Sequence, residues 1–563
     1  MSIVLHQSDS DIPAFAPRHE YLLFASVILL QLLPLMFFHY FPTWDGPAHL
    51  AAAEVIAHYN DPSRAMLRKY FLPNMFPSPN LTGHAILIGL AKVLPPVAAE
   101  KVLIALIIVL TSVSMRFALV SINGRARFLS YLAPPFAISW FLHAGQYNFC
   151  LSVIVFFFTI GYWLRRRERF TVAPRLILSV LLVLAYFSHI VGLAVSLVFI
   201  GSETLWLSVL EVTAHGTPPA LVQLIKTLWT RGKGLLLSIV PALLLVAAYI
   251  RHGSSGAVGR YRLWDLIKCL VTLAPAMVSF SKSEYLPSVL LSGTILGLAV
   301  YSLKSFTRQT WPDVRNGLLL ATGVTTILYF ALPDAMNGGS YISPRLSVFV
   351  YFGVLLWSSQ FEYKLGVQNA GVYAGIIAAV GLTVLHIPKY AAFNDDLAEY
   401  LSFGPRLPQG STILPLFYIS EGSAQGGTAY SLRTRPLDTS AGYLMATRNV
   451  IDLAHYESAF NYFITRFRPE LDPFRFIGHA PDWQQTIPPA VSFLHYSDQT
   501  TGQVDYVFLW GMKFASDEVL ANPSTQSVRS QLDIGYQLIF VSKPRELLQV
   551  YAPRRVCSLK RPE

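Results

Sequence analysis

Charge is scarce in this chain. Asp, Glu, Lys and Arg make up 13% of its 563 residues, about half the share in ordinary soluble domains, which is roughly 25%. So little charge excludes a soluble globular enzyme. Cysteine is also rare: Cys150, Cys269 and Cys557 show no metal or redox spacing and imply no disulfide framework. Nucleotide cradles are missing, since there is no Walker-type loop and no Gly-x-Gly-x-x-Gly after a strand. His-Glu-x-x-His and Gly-x-Ser-x-Gly are absent too, which removes the common protease and esterase signatures. The chain carries a net +11, yet the stretch from about 390 onward is weakly acidic. That argues against a nucleic-acid partner, which would need a basic patch.

Apolar sequence is what the chain has in quantity, at 53% of residues. Long runs recur at 21–41, 102–122, 148–164, 176–199, 235–250, 286–303, 317–332, 346–357 and 372–385. Most approach the roughly 20 residues that cross about 30 Å of hydrocarbon. Asp9, Asp11 and Glu20 precede the first run, and Phe-Pro-Thr-Trp follows it in place of a small-residue cleavage site. It therefore reads as an anchor and not as a cleaved signal peptide.

Short cytoplasmic loops collect Lys and Arg. The clearest here is Arg165-Arg166-Arg167-Glu168-Arg169. Counting outward from it places 123–127, the stretch with Lys226, Arg231 and Lys233, the stretch with Lys304, Arg308 and Arg315, and Lys364 on the same side. The turns at 143–147, near His189 and at 333–344 fall on the opposite face. The apolar stretches 85–94 and 270–280 are short and are expected to dip into that outer face. The fold expected is an α-helical polytopic membrane protein with about eleven spans in a plasma (inner) membrane, its N-terminus cytoplasmic. Residues 1–388 would form the membrane domain, with outer loops at 42–99 and 251–284, and 389–563 an extracytoplasmic α/β domain. In that tail the runs 411–419, 504–510 and 536–541 suit buried strands, with a helix expected over 453–467.

Polar residues gather where an apolar bundle does not need them, mostly at the outer face. Asp45-Gly46-Pro47-Ala48-His49 follows the first span. Gly-Pro before an Ala-rich stretch is a good helix start, which makes Asp45 its expected N-cap. Asp45 and His49 are four apart and would share a face of that helix; as a pair they are a weak metal signal. His143-Ala-Gly-Gln146-Tyr147-Asn148 forms an outer turn, and His189 stands alone at a helix end. The first reads equally well as a satisfied polar turn or as part of a site, and His189 equally well as a hydrogen-bonded core histidine or as part of a site. Asp334-Ala-Met-Asn337-Gly-Gly-Ser-Tyr341-Ile-Ser-Pro-Arg345 is a Gly-rich loop ending in an arginine at the start of a span. An arginine there either snorkels or offers a two-pronged grip on a phosphate.

A long first outer loop opening on Asp45-Gly46, a membrane-hugging stretch at 85–94 and an outer C-terminal domain resemble the GT-C superfamily of membrane glycosyltransferases. That group includes oligosaccharyltransferases, protein O-mannosyltransferases and aminoarabinose transferases. Asp-Gly-Pro-Ala-His stands here where mannosyltransferases have paired acids, and the 143–148 turn lacks the second acidic motif of oligosaccharyltransferases. The resemblance implies a sugar donor on a polyprenyl phosphate, a membrane lipid environment, and a glycan, lipid or protein acceptor. It implies a single inverting displacement with Asp45 as base. Arg345 and His189 would hold the donor phosphate, and His49, His143, Gln146, Asn148, Asp334 and Tyr341 would line the cleft. No cofactor is fixed by it, and a divalent metal stays open. A transporter or flippase for a lipid-linked or anionic solute, or an acyltransferase using His189 or His143, are the alternatives.

Overall fold

The computed structural model describes residues 17–214, 221–252, 259–306, 313–336, 339–419, 421–422, 431–478 and 486–554. Asp9, Asp11, Arg308, Asn337 and Cys557 lie outside them. Among the described residues seven helices are long and apolar enough to cross a membrane, from Arg18–Phe37 to Leu365–Arg406. Four shorter apolar helices accompany them: Thr82–Ala91, Val172–Ser188, Asn316–Ala331 and Ile342–Ser358. The protein is a multi-pass helical membrane protein with a sheet-containing C-terminal region.

Local chemistry explains where the apolar runs break. The run 176–199 is two helices, because His189 is extended (φ −166°) between Val172–Ser188 and Ile190–Thr213, and its imidazole accepts the Val191 amide. Helix Thr82–Ala91 has 10 residues, about 15 Å of rise, half a bilayer core. The stretch 270–280 is not one helix either. Leu273 sits in the left-handed region (φ 54°) between Leu263–Thr272 and Ala274–Met277.

One traverse of the bundle is not a regular helix. Residues 124–143 run as a 3-10 segment, Gly124–Leu132, and two short helices, Ala133–Ala137 and Trp140–His143. The Asn123 side chain bonds the Ser359 carbonyl just past the end of helix Ile342–Ser358, while Gln146 bonds Arg345 at that helix's start. The segment therefore runs the full length of the bundle. Every residue from 128 to 145 is buried, which is the condition under which irregular backbone is tolerated at membrane depth.

Beyond the bundle a five-stranded mixed sheet has the order β3-β2-β5-β7-β6, with β2 Thr412–Phe417, β3 Ile451–Asp452, β5 Tyr506–Trp510, β6 Tyr536–Val541 and β7 Leu548–Pro553. The helix expected over 453–467 is not formed. That stretch holds a 3-10 turn, Tyr456–Ala459, and β4 Thr465–Phe467, which pairs antiparallel with β1 Phe71–Pro73 of the first loop. Its backbone bonds are taken by that pairing and by turns, so none remain for a helical ladder. The first loop also contributes Ala51, Val55, Tyr70 and Phe71 to the same apolar cluster as Leu414, Leu416, Ile451 and Leu453. Helix Leu365–Tyr400 continues unbroken through 388 and 389, and Arg545 clamps the sheet to its end through Asp396 (2.6 Å) and Glu399 (2.8 Å).

Asp452, at the end of β3, is buried and accepts the Ala454 amide at 2.8 Å. Burial pushes its carboxyl up to about 7, against roughly 4 in an unfolded chain. Between those values the folded chain keeps a proton that the unfolded chain has lost. The residue's contribution to stability is therefore complete below about pH 4 and is lost as pH rises towards 7. Asp452→Asn is expected to raise the apparent Tm in detergent by a few degrees at pH 8 and not at pH 4. An equal gain at both pH values would assign the effect to something other than this charge.

Candidate functional site: a polar cavity between the first loop and the tail

Asp45 is held from three sides before any ligand is considered. Trp44 and Asp45 donate their amides to the carbonyls of His143 (2.8 Å) and Ala144 (3.3 Å). The Thr439 hydroxyl bonds the Trp44 carbonyl. Gly145 has φ +74°, and a Cβ there would lie 2.6 Å from the amides of Asp45 and Gly46. Only glycine meets both conditions. Gly46 is equally confined, since a side chain would strike Thr43, Glu100 and Tyr147. Those three form a buried network in which Glu100 accepts from Tyr147 (2.7 Å) and Tyr443 (2.9 Å), joining the first loop to a spanning helix and to the tail. Asp45 does stand at the N-cap position of helix Gly46–Ala57, its carbonyl accepting the His49 amide at 3.0 Å. Its backbone is already helical (φ −89°, ψ −10°) and its side chain caps nothing. The Tyr456 hydroxyl, near the carboxylate, favours its charged form.

A cavity of about 270 Å³ opens at this point. Of the residues singled out in the sequence, Asp45, His49, Gln146, Asn148, His189, Tyr341 and Arg345 line it. Trp44, Trp140, Phe149, Tyr456, Tyr462 and Phe463 supply aromatic wall, with Asn80 beside them. Arg345 donates to the Ser340 carbonyl (2.5 Å) and to Gln146 Oε1 (2.9 Å). Its Nε is buried without a hydrogen-bond partner, and among the described residues no carboxylate lies within ion-pair distance of it. The guanidinium also sits 5.5 Å over the Phe149 ring. Asn148 accepts the Gly83 amide at 2.7 Å, fixing the short helix Thr82–Ala91 against the cavity.

Two expected lining residues lie elsewhere. His143 is fully buried behind the wall, bonded to Ser279 (3.1 Å) and Tyr390 (2.7 Å). Its helical turn faces the bundle interior, so it serves packing between the second outer loop and helix Leu365–Tyr400. Asp334 accepts the Ser343 amide at 3.0 Å, which secures the start of helix Ile342–Ser358, and it is not among the residues that line the cavity.

Below Asp45 lies a group that the sequence did not disclose. The carboxylate of Glu457 is paired with His49 on one oxygen and with His84 on the other (3.2 Å). Donor atoms of all three lie within 4.8 Å of one another, and all three residues are buried. Burial is the largest influence on His49 and would lower it, but Glu457, Asp45 and the Gly145 carbonyl together raise the imidazole above its ordinary value. Glu457, which burial would raise, is held well below the usual carboxylate range by His49 and His84. Asp45 responds chiefly to burial, which pushes it up to about 6, with His49 opposing and Glu457 assisting. Glu457, Tyr456, Tyr462 and Phe463 escape sequence reasoning because an aromatic, mildly polar stretch in a polar tail has no local contrast.

Fold and cavity together define a polytopic helical membrane protein whose tail closes over a polar cavity lined by an acid and by an arginine with no ion-pair partner among the described residues. No family model matches the chain, and no curated protein matches it. Among solved structures it is similar to the crystal structure of ArnT from Cupriavidus metallidurans bound to undecaprenyl phosphate, with a TM-score of 0.49 and 11% identity, over 97% of this chain and 100% of that one. The same protein in the apo state gives a TM-score of 0.49 and 11% identity over 98% and 100%. Neither an activity nor a substrate transfers at that degree of likeness.

Proposed function

We propose that this chain is a membrane glycosyltransferase that moves a sugar from a polyprenyl-phosphate donor to a hydroxyl of a lipid, glycan or protein acceptor. The observation that carries the reading is the pairing, in one aromatic-walled cavity, of a carboxylate with an arginine whose Nε has no partner. A cation without a carboxylate, in a wall that accommodates apolar rings, suits a phosphate attached to a lipid. The volume, about 270 Å³, is near the lower end of small-molecule pockets and suits a single sugar ring.

In the reaction, the acceptor oxygen attacks the anomeric carbon while Asp45 takes its proton. The bond from that carbon to the phosphate oxygen breaks, its electron pair leaves with the phosphate, and the configuration inverts. Arg345 offsets the charge that develops on the leaving group, with His189 beside it. Asp45 suits the base role because burial strengthens it as a proton acceptor. The tail, 389–563, caps the cavity and contributes Tyr456, Tyr462 and Phe463 to acceptor choice. The direct test is release of free polyprenyl phosphate by purified protein in detergent, with no membrane gradient. Release that depends on an acceptor and on Asp45 supports transfer. Binding of the lipid-linked sugar with no release, across a panel of acceptors, would favour a transporter.

The cavity is proposed to face the extracytoplasmic side of a plasma (inner) membrane, from the concentration of Lys and Arg in loops at the opposite end. Single cysteines at Ser340 and Thr500 are expected to react with an impermeant thiol reagent added to intact cells, or spheroplasts where an outer membrane intervenes. A cysteine at Glu168 is expected to react only after lysis. Labelling of the Glu168 position in intact cells would reverse the orientation.

A further inference from the structure

We propose that His49, His84 and Glu457 form a binding site for one divalent cation of the zinc type, which ties the first loop to the tail at the wall of the Asp45 cavity. The inference is independent of sugar transfer and would stand if the cavity did other work.

Hydrogen-bond bookkeeping on the two rings is the first argument. His49 Nε2 lies 3.0 Å from the Gly145 carbonyl and His84 Nδ1 lies 3.1 Å from the Asn80 carbonyl. A carbonyl only accepts, so each of those nitrogens carries the hydrogen. Each ring then has one nitrogen left, and both face Glu457. This is the outer arrangement of metal-bound histidines, in which the far N–H is anchored on a backbone carbonyl and the near nitrogen is free to ligate. Both near nitrogens therefore converge on one carboxylate inside the protein, where His49 is 7%, His84 1% and Glu457 0% exposed. A carboxylate so enclosed is costly unless it is fully compensated, which a cation held between it and the two rings would do.

Unsatisfied atoms give the second argument. His49 Nδ1 and Glu457 Oε1 touch as an ion pair, yet neither has a hydrogen bond of acceptable geometry. They are two of the three ligand atoms a bridging cation would take.

The donor set selects the ion. Two imidazole nitrogens and one carboxylate oxygen suit zinc, whereas calcium and magnesium favour all-oxygen shells. Three protein donors leave a tetrahedral ion one further position, the pattern of sites that bind water or substrate. Of the three, His49 also lines the cavity. His455 is close but already committed, to Ala48 (3.1 Å) and Ser458 (3.0 Å).

The test uses the full-length protein, purified in detergent, freed of affinity tags and stripped with a chelator. Zinc is then titrated in against a chromophoric competitor, and bound metal is counted by elemental analysis after desalting. One zinc per chain is expected, with His84→Ala and Glu457→Gln each weakening binding at least about 100-fold. Wild-type protein that retains no zinc above a chelator-treated blank would overturn the proposal and leave the three groups as an ion cluster. Should the variants fold poorly, X-ray absorption of the zinc-loaded wild type decides. Two nitrogen ligands with one or two oxygens support the site, and an all-oxygen or thiolate shell overturns it.

Discussion

Sugar transfer by Asp45→Asn protein is expected to fall by about 10² to 10⁴-fold, the usual worth of a positioned general base. Membrane levels and folding should be retained. The substitution keeps the size of the side chain while removing the proton acceptor. Because the Asp45 side chain caps no helix, the loss cannot be assigned to fraying of Gly46–Ala57. The backbone that carries the residue is set by the amide bonds to His143 and Ala144 and by the confinement at Gly145, none of which the change touches. Burial pushes Asp45 up to about 6, and a base acts only when unprotonated. Wild-type transfer should therefore decline as pH drops through about 6, and residual activity of the Asn protein should lack that acid limb. Near-normal turnover by Asp45→Asn would remove Asp45 from the reaction.

Arg345→Ala is expected to reduce turnover of a polyprenyl-phosphate sugar by about 10² to 10³-fold, the range for removing one preorganised stabiliser of developing charge. Arg345→Lys should recover only part of this. Lysine restores the positive charge but not the planar fork, and the guanidinium already spends donors on Ser340 and Gln146 while its Nε stays free. A point charge cannot hold those wall residues and a phosphate oxygen together. Both proteins should fold, since the hydrogen bonds to Ser340 and Gln146 sit at a cavity wall and not in the packed core. Polyprenyl phosphate release is the readout. Full activity of the Lys protein would show that charge alone suffices and that the fork is unused.

Asp45 and Arg345 were legible in the sequence for the same reason. Each is a charged residue beside an apolar run, and that contrast is local. His49, four residues from Asp45, followed from helical spacing, and it does line the cavity. His143 looked equivalent to His49 in context, yet one faces the bundle interior and the other the cavity. The difference is a rotation of a short helix that no local pattern encodes. Asp334 shows the same ambiguity, since a carboxylate in a Gly-rich loop can meet a ligand or a backbone amide equally well.

Hydropathy and loop charge are sums over about twenty consecutive residues, and bilayer thickness acts on the chain at that same length. The sequence by itself therefore determined that the chain is a polytopic helical membrane protein with a strand-bearing tail, and it marked the acid and the arginine. The tertiary structure alone decided that 124–143 traverses the bundle as broken, buried helix, and that 453–467 forsakes helix to pair with the first loop. It alone joined His49 and His84 to Glu457, about 400 residues away in the chain. Contacts at that separation are chosen by packing of one apolar cluster built from both segments, and packing leaves no periodicity in either segment to read.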